Sequence, residues 1–207
     1  MHRRKAQLFV VSAPSGAGKT SLVQALIAAT SDITISISHT TRAMRPGERH
    51  GVDYTFVDIP TVQRMIEAGE FIEYAQVFGN YYGTSHTAVD AALAANTDVI
   101  LEIDWQGARR IHALYPTATL IFILPPSLAE LRQRLERRGE DSPDTIERRM
   151  REANSEMSHY AEYAYLVVND VFERALDDLR SIVRVARLAT AVQVVEDLPA
   201  PAGLVAS

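Results

Sequence analysis

The run Ala13-Pro14-Ser15-Gly16-Ala17-Gly18-Lys19-Thr20 combines two glycines, a lysine and a hydroxyl side chain at the spacing of a phosphate-binding loop. Glycines let the backbone curl until successive N–H groups converge on an anion, together with the positive end of the helix that follows. Lys19 would reach the β- and γ-phosphates of a nucleoside triphosphate, and the Thr20 hydroxyl would ligate magnesium. Ala13 stands where the general G-x-x-x-x-G-K-[ST] pattern has its first glycine, so the turn must open with an ordinary negative φ. The stretch predicts binding of nucleotide phosphates.

Further residues with chemical potential follow it. The polar loop from Ser38 to Gly51 carries Arg42, Arg45 and Arg49. It reads either as a solvated connection or as a site for a second anionic group, since arginine forks suit phosphate oxygens and Tyr54 and Tyr82 could add neutral donors. Glu73 falls among alternating apolar neighbours and faces either water or a cleft. In a cleft, its carboxylate could accept from two adjacent donors, which the N1–H and N2 amine of guanine offer and adenine does not. Asp104 ends an apolar strand, where an acid holds magnesium or its waters in phosphate-loop enzymes; it also fits a helix N-cap. Arg132, Arg134, Arg137, Arg138, Arg148, Arg149 and Arg151 are interleaved with acids, which argues for solvation, or they close as a lid over a transferring phosphoryl group.

Elements must hold these groups in place. Leu8 to Val11 reads as a buried parallel strand feeding the loop, and Leu22, Val23, Leu26 and Ile27 recur at helical spacing after it. Ile33 to Ile37 alternates like a half-buried strand rather than a buried parallel one. Tyr54 and Phe56 begin another such strand, Thr61 to Ala68 is a short helix, and Glu70 to Phe78 alternates again, so the middle of the chain reads as a small, mostly antiparallel insertion. Val99 to Ile103 and Leu120 to Leu124 are buried strands, with a helix from Trp105 to Leu114 between them. Two charged helices, Ser127 to Arg138 and Pro143 to Tyr160, are separated by residues 139–142, with Ser142 as N-cap and Pro143 at the first helical position. Leu128, Leu131 and Leu135 supply a stripe that docks the first of them loosely. Leu166 to Val168 is a last core strand, Val171 to Leu188 a final helix, and the Pro- and Ala-rich end a disordered tail.

Composition narrows the function. At 207 residues, 47% hydrophobic and 23% charged, the chain reads as one globular core with small insertions. A formal net charge of -5 argues against general affinity for nucleic acid or anionic membranes, so a phosphate site must be a local concentration of positive charge. Without cysteine there are no disulfides, thiolate zinc sites or cysteine nucleophiles, and the six histidines show no pair at ligand spacing. No segment reads as a leader peptide or a membrane span, so a cytoplasmic location is expected.

The segments Ser-His-Thr-Thr-Arg-Ala-Met-Arg-Pro-Gly-Glu, Gly-Val-Asp-Tyr-Thr-Phe-Val, Phe-Ile-Glu-Tyr-Ala-Gln-Val-Phe-Gly-Asn-Tyr-Tyr-Gly-Thr and Asp-Trp-Gln-Gly-Ala, in this order, resemble guanylate kinase, particularly the bacterial enzymes. Met-Ser-His-Tyr-Ala-Glu-Tyr followed by Val-Val-Asn-Asp extends the likeness, which runs from about Leu8 to about Leu188, and Ala13 matches the bacterial form of the loop. The resemblance implies an α/β fold of the P-loop nucleoside monophosphate kinase type, with a parallel core sheet flanked by helices. It divides the chain into a core (1–32, 84–126 and 161–198), a GMP-binding insertion (33–83), a lid with its following helix (127–160) and the tail (199–207).

It further implies that 13–20 and Asn169 bind ATP; that Arg42, Arg45, Tyr54 and Tyr82 hold the GMP phosphate; and that Ser38, Glu73, Thr84 and Asp104 read the guanine. Lys19, Arg42, Arg138 and Arg149 would be catalytic, and Thr20 would hold Mg2+, with Glu102 or Asp104 acting through water. Two positions depart from the family: Glu102 where aspartate is usual, and Val171 where a second aspartate follows Asn-Asp. The implied reaction moves the γ-phosphoryl group of ATP to GMP or dGMP, with no general base, because the attacking phosphate oxygen is already ionised. Since both substrates are anions, an open form that closes on binding both is expected. Two rivals are a non-catalytic guanylate-kinase-like binding module and a P-loop kinase with another acceptor, such as a sugar phosphate. The intact Lys19 and Thr20 weigh against the first; Glu73 with Ser38 weighs against the second. The expected partners are small molecules, with a homo-oligomer left open.

Overall fold

The computed structural model describes residues 3–77, 79–138 and 142–194. Phe78, the linker 139–141 and the expected tail 199–207 lie outside the described residues. A short strand β1 (Arg3–Arg4) precedes β2 (Leu8–Ser12), in which every residue is buried. Both faces of β2 are covered: Phe9 and Val11 join Leu22, Val23 and Leu26 on one side, while Leu8 and Val10 join Val89, Ala108 and Ile111 on the other. That explains the unbroken apolar run, because a parallel strand packed on both faces has no solvent side to alternate toward. Helix α1 (Lys19–Ala28) leads back to β3 (Ile33–Ile35).

The reading of Ile33 to Ile37 is corrected at this point. β3 pairs in parallel with a later strand of the same sheet, Ile33 opposite Asp98 and Ile35 opposite Ile100. It alternates because it is an edge strand, with Ile33 buried in the core and its two following residues half-buried. A second sheet is built from β4 (His39–Thr40), β5 (Thr55–Phe56), β6 (Phe71–Val77) and β7 (Asn80–Ser85), in the order β5-β4-β7-β6. β4–β7 and β6–β7 are antiparallel and β4–β5 is parallel. Between β5 and β6 runs α2 (Ile59–Glu67), capped by Asp58, whose side chain accepts from the Thr61 N–H at 2.9 Å.

The chain returns through α3 (His86–Ala94), a helix the sequence reading did not place, to β8 (Asp98–Glu102), α4 (Trp105–Leu114), β9 (Thr119–Leu124), α5 (Leu128–Arg138), α6 (Pro143–Met157) and a 3-10 turn at Tyr160–Glu162. β10 (Tyr165–Val168), α7 (Phe172–Leu188) and β11 (Gln193–Val194) complete it. The core sheet is wholly parallel, in the order β10-β9-β2-β8-β3. β2 lies centrally, so its carboxyl end opens where connections leave to either side, the place at which open α/β sheets bind ligands.

Candidate active site

The phosphate loop sits at that carboxyl end. Gly16 and Gly18 have φ of +94° and +91°, a region that penalises any side chain, while Ala13 is not among the residues of positive φ, as its chemistry requires. Gly18 caps α1, and the Asn169 amide nitrogen lies where a Gly18 Cβ would be. That amide donates to the Ala17 carbonyl at 2.7 Å, and Asn169 is buried. The residue assigned to the ATP base therefore braces the loop that holds the phosphates.

Thr20 Oγ1 donates to Glu102 Oε2 at 3.0 Å. The other oxygen, Glu102 Oε1, is buried without a hydrogen-bond partner. A hydroxyl and a carboxylate with an unused buried oxygen are hard donors suited to magnesium or its waters. Asp104, the other metal candidate, spends Oδ1 on the Gly107 N–H at 2.9 Å, capping α4. Glu102, not Asp104, is therefore the acid that meets Thr20.

Across the cleft, the second sheet arranges the remaining candidates in rows. β6 and β7 pair Glu73 with Thr84, and Ser38 lies one residue before the His39–Gly83 pair that joins β4 to β7. Ser38, Thr84 and Glu73 therefore cross three strands at neighbouring registers, and all three are buried. Thr84 Oγ1 donates to Glu73 Oε1 at 2.6 Å. Burial pushes the Glu73 carboxyl up to about 7, with the Asp104 charge adding to it, while the Thr84 bond and Arg110 pull the other way. A bulge between Phe71 and Glu73 sets the strand's facing, which alternation alone left open.

Tyr82, two residues from Thr84, shares its face of β7. Its ring meets Tyr54 edge-on at 6.0 Å, and the Arg42 guanidinium lies 5.4 Å from the Tyr54 ring centre. Glu48, which the sequence reading passed over, accepts from Arg42 Nη2 at 2.7 Å and from the Arg45 N–H at 2.7 Å. Its signal was the Arg-Pro-Gly-Glu turn, which bends the chain so that the acid returns to both arginines. Burial pushes the Tyr54 hydroxyl up to about 12, so it stays a neutral donor.

The lid helices rest against the loop instead of standing open. Leu131 and Leu135 are fully buried, each 3.0 Å from where a Gly16 Cβ would be, so α5 is firmly seated; Leu128 is exposed and takes no part. Arg134 is not merely solvated: it reaches the carbonyls of Ala17 at 3.4 Å and Asn169 at 3.0 Å. Arg132 pairs with Glu147 at 2.6 Å, tying α5 to α6. From α6, Arg149 Nη1 comes within 3.5 Å of Ser15 Oγ in the loop. The Arg138 side chain lies outside the described residues. Ser142 caps α6, accepting from the Thr145 N–H at 3.3 Å.

Glu156 was invisible to pattern reasoning. It lines a cleft of about 210 Å³ with Asp104, Trp105, Gln76 and Glu152, and burial pushes its carboxyl up to about 7 against the attraction of Lys19. Beside it, His159 stacks on Trp105 at 3.8 Å and Arg109 forks onto Glu162 at 2.6 and 2.5 Å. Two separate sequence segments thereby lock the end of α6 to the start of α4. The chain thus holds a loop for a triphosphate, an arginine pair bridged by Glu48 and a buried carboxylate.

Comparison with known proteins agrees with this geometry. The family model described as guanylate kinase matches residues 5–186. Guanylate kinase from Chromohalobacter salexigens is 58% identical over 88% of this chain and 85% of its own length, and that from Hahella chejuensis is 55% identical over 91% of each. The crystal structure of guanylate kinase from Anaplasma phagocytophilum superposes with a TM-score of 0.79 at 34% identity, covering 94% of this chain and 93% of the other.

Proposed function

The chain belongs to the guanylate kinase family, and we infer from that membership how its cleft moves the γ-phosphoryl group of ATP to GMP, giving ADP and GDP. The observation that carries the reading is Glu73, a buried carboxylate set in a row with Ser38 and Thr84, where the two donors of a guanine edge would meet an acceptor. dGMP, with the same base and phosphate, is accepted too.

Residues 13–20 take the phosphates of ATP, with Lys19 reaching forward from the first turn of α1. Asn169 serves ATP by holding Ala17 in place. Thr20 and Glu102 would hold Mg2+, and the ion would supply positive charge to the transferring phosphates. Arg42 and Arg45, with Glu48 orienting one fork and the backbone of the other, receive the GMP phosphate beside Tyr54 and Tyr82. Ser38, Glu73 and Thr84 read the base. Asp104 contributes through its charge near Glu73 and by capping α4.

The step itself is a displacement. A GMP phosphate oxygen forms a bond to the γ-phosphorus while the bond from that phosphorus to the β–γ bridging oxygen breaks, and the electron pair leaves with ADP. No proton need move, since the attacking oxygen is ionised at neutral pH. Lys19, Arg149 and Arg138 spread the developing charge, and the closed cleft excludes water as a competing acceptor. Core, insertion and lid are the working units, with Ile33–Ile35 belonging to the core. We place the protein in the cytoplasm; among the described residues, no helix is long and apolar enough to cross a membrane.

A coupled ADP-release assay with magnesium, ATP and GMP, AMP, CMP, UMP or a sugar phosphate tests the reading. Turnover confined to GMP and dGMP is expected. GMP binding by calorimetry with no turnover for any acceptor would make the protein a binding module.

A further inference from the structure

Gly107 lies in the first turn of α4, where helix propensity favours alanine over glycine. Its surroundings explain the glycine. A Cβ built there would stand 2.7 Å from Glu73 Oε2 and 3.2 Å from Glu73 Cδ, well inside the 3.4 Å at which ordinary contact begins. The carboxylate has nowhere to retreat, because its other oxygen is held at 2.6 Å by Thr84 and both side chains are buried. Nor can the helix back away. Gly107 N–H is tied to Asp104 Oδ1 at 2.9 Å, and one turn on, Arg110 donates to the Tyr74 carbonyl and lies 4.9 Å from the centre of the Tyr74 ring, next to Glu73 in β6.

We propose that Gly107 is a positioning residue for base recognition: by leaving out a side chain it lets the Glu73 carboxylate stand against the start of α4 at the depth guanine requires. This rests on the reading of Glu73 as the guanine acceptor. A methyl group at 107 displaces Oε2 by about 0.7 Å if the contact is to become ordinary, more than a pre-organised hydrogen-bond site tolerates. The loss falls on the base and not on the triphosphate, because the atoms nearest the added carbon belong to Glu73 and Ile103, while the phosphate loop joins β2 to α1.

The test is a cycle of G107A, E73Q and the double variant, read by KM for GMP, inosine monophosphate and ATP, with Tm alongside. Inosine monophosphate keeps the N1–H and lacks the exocyclic amine. G107A should raise the KM for GMP about tenfold and shrink the preference for GMP over inosine monophosphate, with the KM for ATP unchanged and the Tm somewhat lowered by the added methyl. In the E73Q background, where the pair of acceptor oxygens is already broken, G107A should add little to the KM for GMP. A weakened E73Q beside an unchanged G107A overturns the proposal and leaves Glu73 as the acceptor; an unchanged E73Q overturns both. Equal, multiplying losses in the two backgrounds would make Gly107 a packing residue only. If G107A does not accumulate, the same cycle is run in an I103V background, which removes the methyl group 3.2 Å from the added carbon and leaves its contact with Glu73 in place; the same outcomes then decide.

Discussion

The Thr84 hydroxyl meets the Glu73 carboxylate at 2.6 Å with both side chains buried, so an acid is held by a neutral donor in the base-reading row. Burial raises its pKa from 4.5 to about 7. A raised acid binds its proton more tightly folded than unfolded, so its stabilising contribution is full below pH 4.5 and is lost as pH rises through about 7. The Tm difference between wild type and E73Q should therefore shift against wild type across that window. Guanine needs the ionised form, so the KM for GMP should climb as pH falls below about 7, and more steeply in wild type than in E73Q, which shares only the protonation of the GMP phosphate at pH ~6. A flat Tm difference would mean that folding leaves the Glu73 carboxyl at its ordinary value.

Glu102 should govern the metal requirement. Its Oε2 accepts from Thr20 and its Oε1 is unused, so E102Q keeps the shape and removes the charge. The magnesium concentration for half-maximal turnover should rise about 10- to 100-fold, with the KM for GMP little changed. Full activity in the presence of a chelator would remove the metal from the reaction.

Leu135 decides whether α5 is an anchored or a swinging element. It is fully buried against Gly16, so L135A should cost about 2–5 kcal/mol of stability and raise the KM for ATP. Urea unfolding measures the first. A cost under about 1 kcal/mol would show that α5 spends its time away from the loop.

N169A removes the donor that holds Ala17 O and empties the space beside Gly18. A loss of about 1–3 kcal/mol is expected for a buried bond broken on one side, with a higher KM for ATP and for any other triphosphate alike. A selective loss of ATP relative to GTP would assign Asn169 to the adenine ring instead.

Much of this site could be read in the linear order. The loop from Ala13 to Thr20 is a local device, in which glycine conformations and a helix start are set by adjacent residues, and the structure reproduces them at Gly16 and Gly18. Ser142 before Pro143 is equally local. The arginines at 42 and 45 are legible as anion ligands, and the turn that returns Glu48 to both of them is written in Arg-Pro-Gly-Glu.

Other features had no local signature. Ile33 to Ile37 alternates as an insertion strand would, and only the register with β8 places Ile33–Ile35 at the edge of the core sheet. Arg134 looks like any solvated helix arginine until α5 is laid on the loop. Glu156 sits on a charged helix, and its burial beside Lys19 depends on how α6 crosses the cleft.

What the linear order determined by itself was the chemistry on offer and its family: a phosphate loop, arginine anion ligands, a carboxylate suited to guanine, and a covered parallel sheet to carry them. The loop and the sheet follow from backbone preferences and apolar periodicity, which act over a few residues, while the family and the guanine reading rest on the resemblance of the middle segments. The tertiary structure decided which way Glu73 faces, which acid reaches Thr20, and why a glycine opens α4. Each of these turns on the approach of segments distant in the chain, where a contact of 2.7 Å between Glu73 and a would-be carbon at Gly107 is set by the packing of α4 on β6.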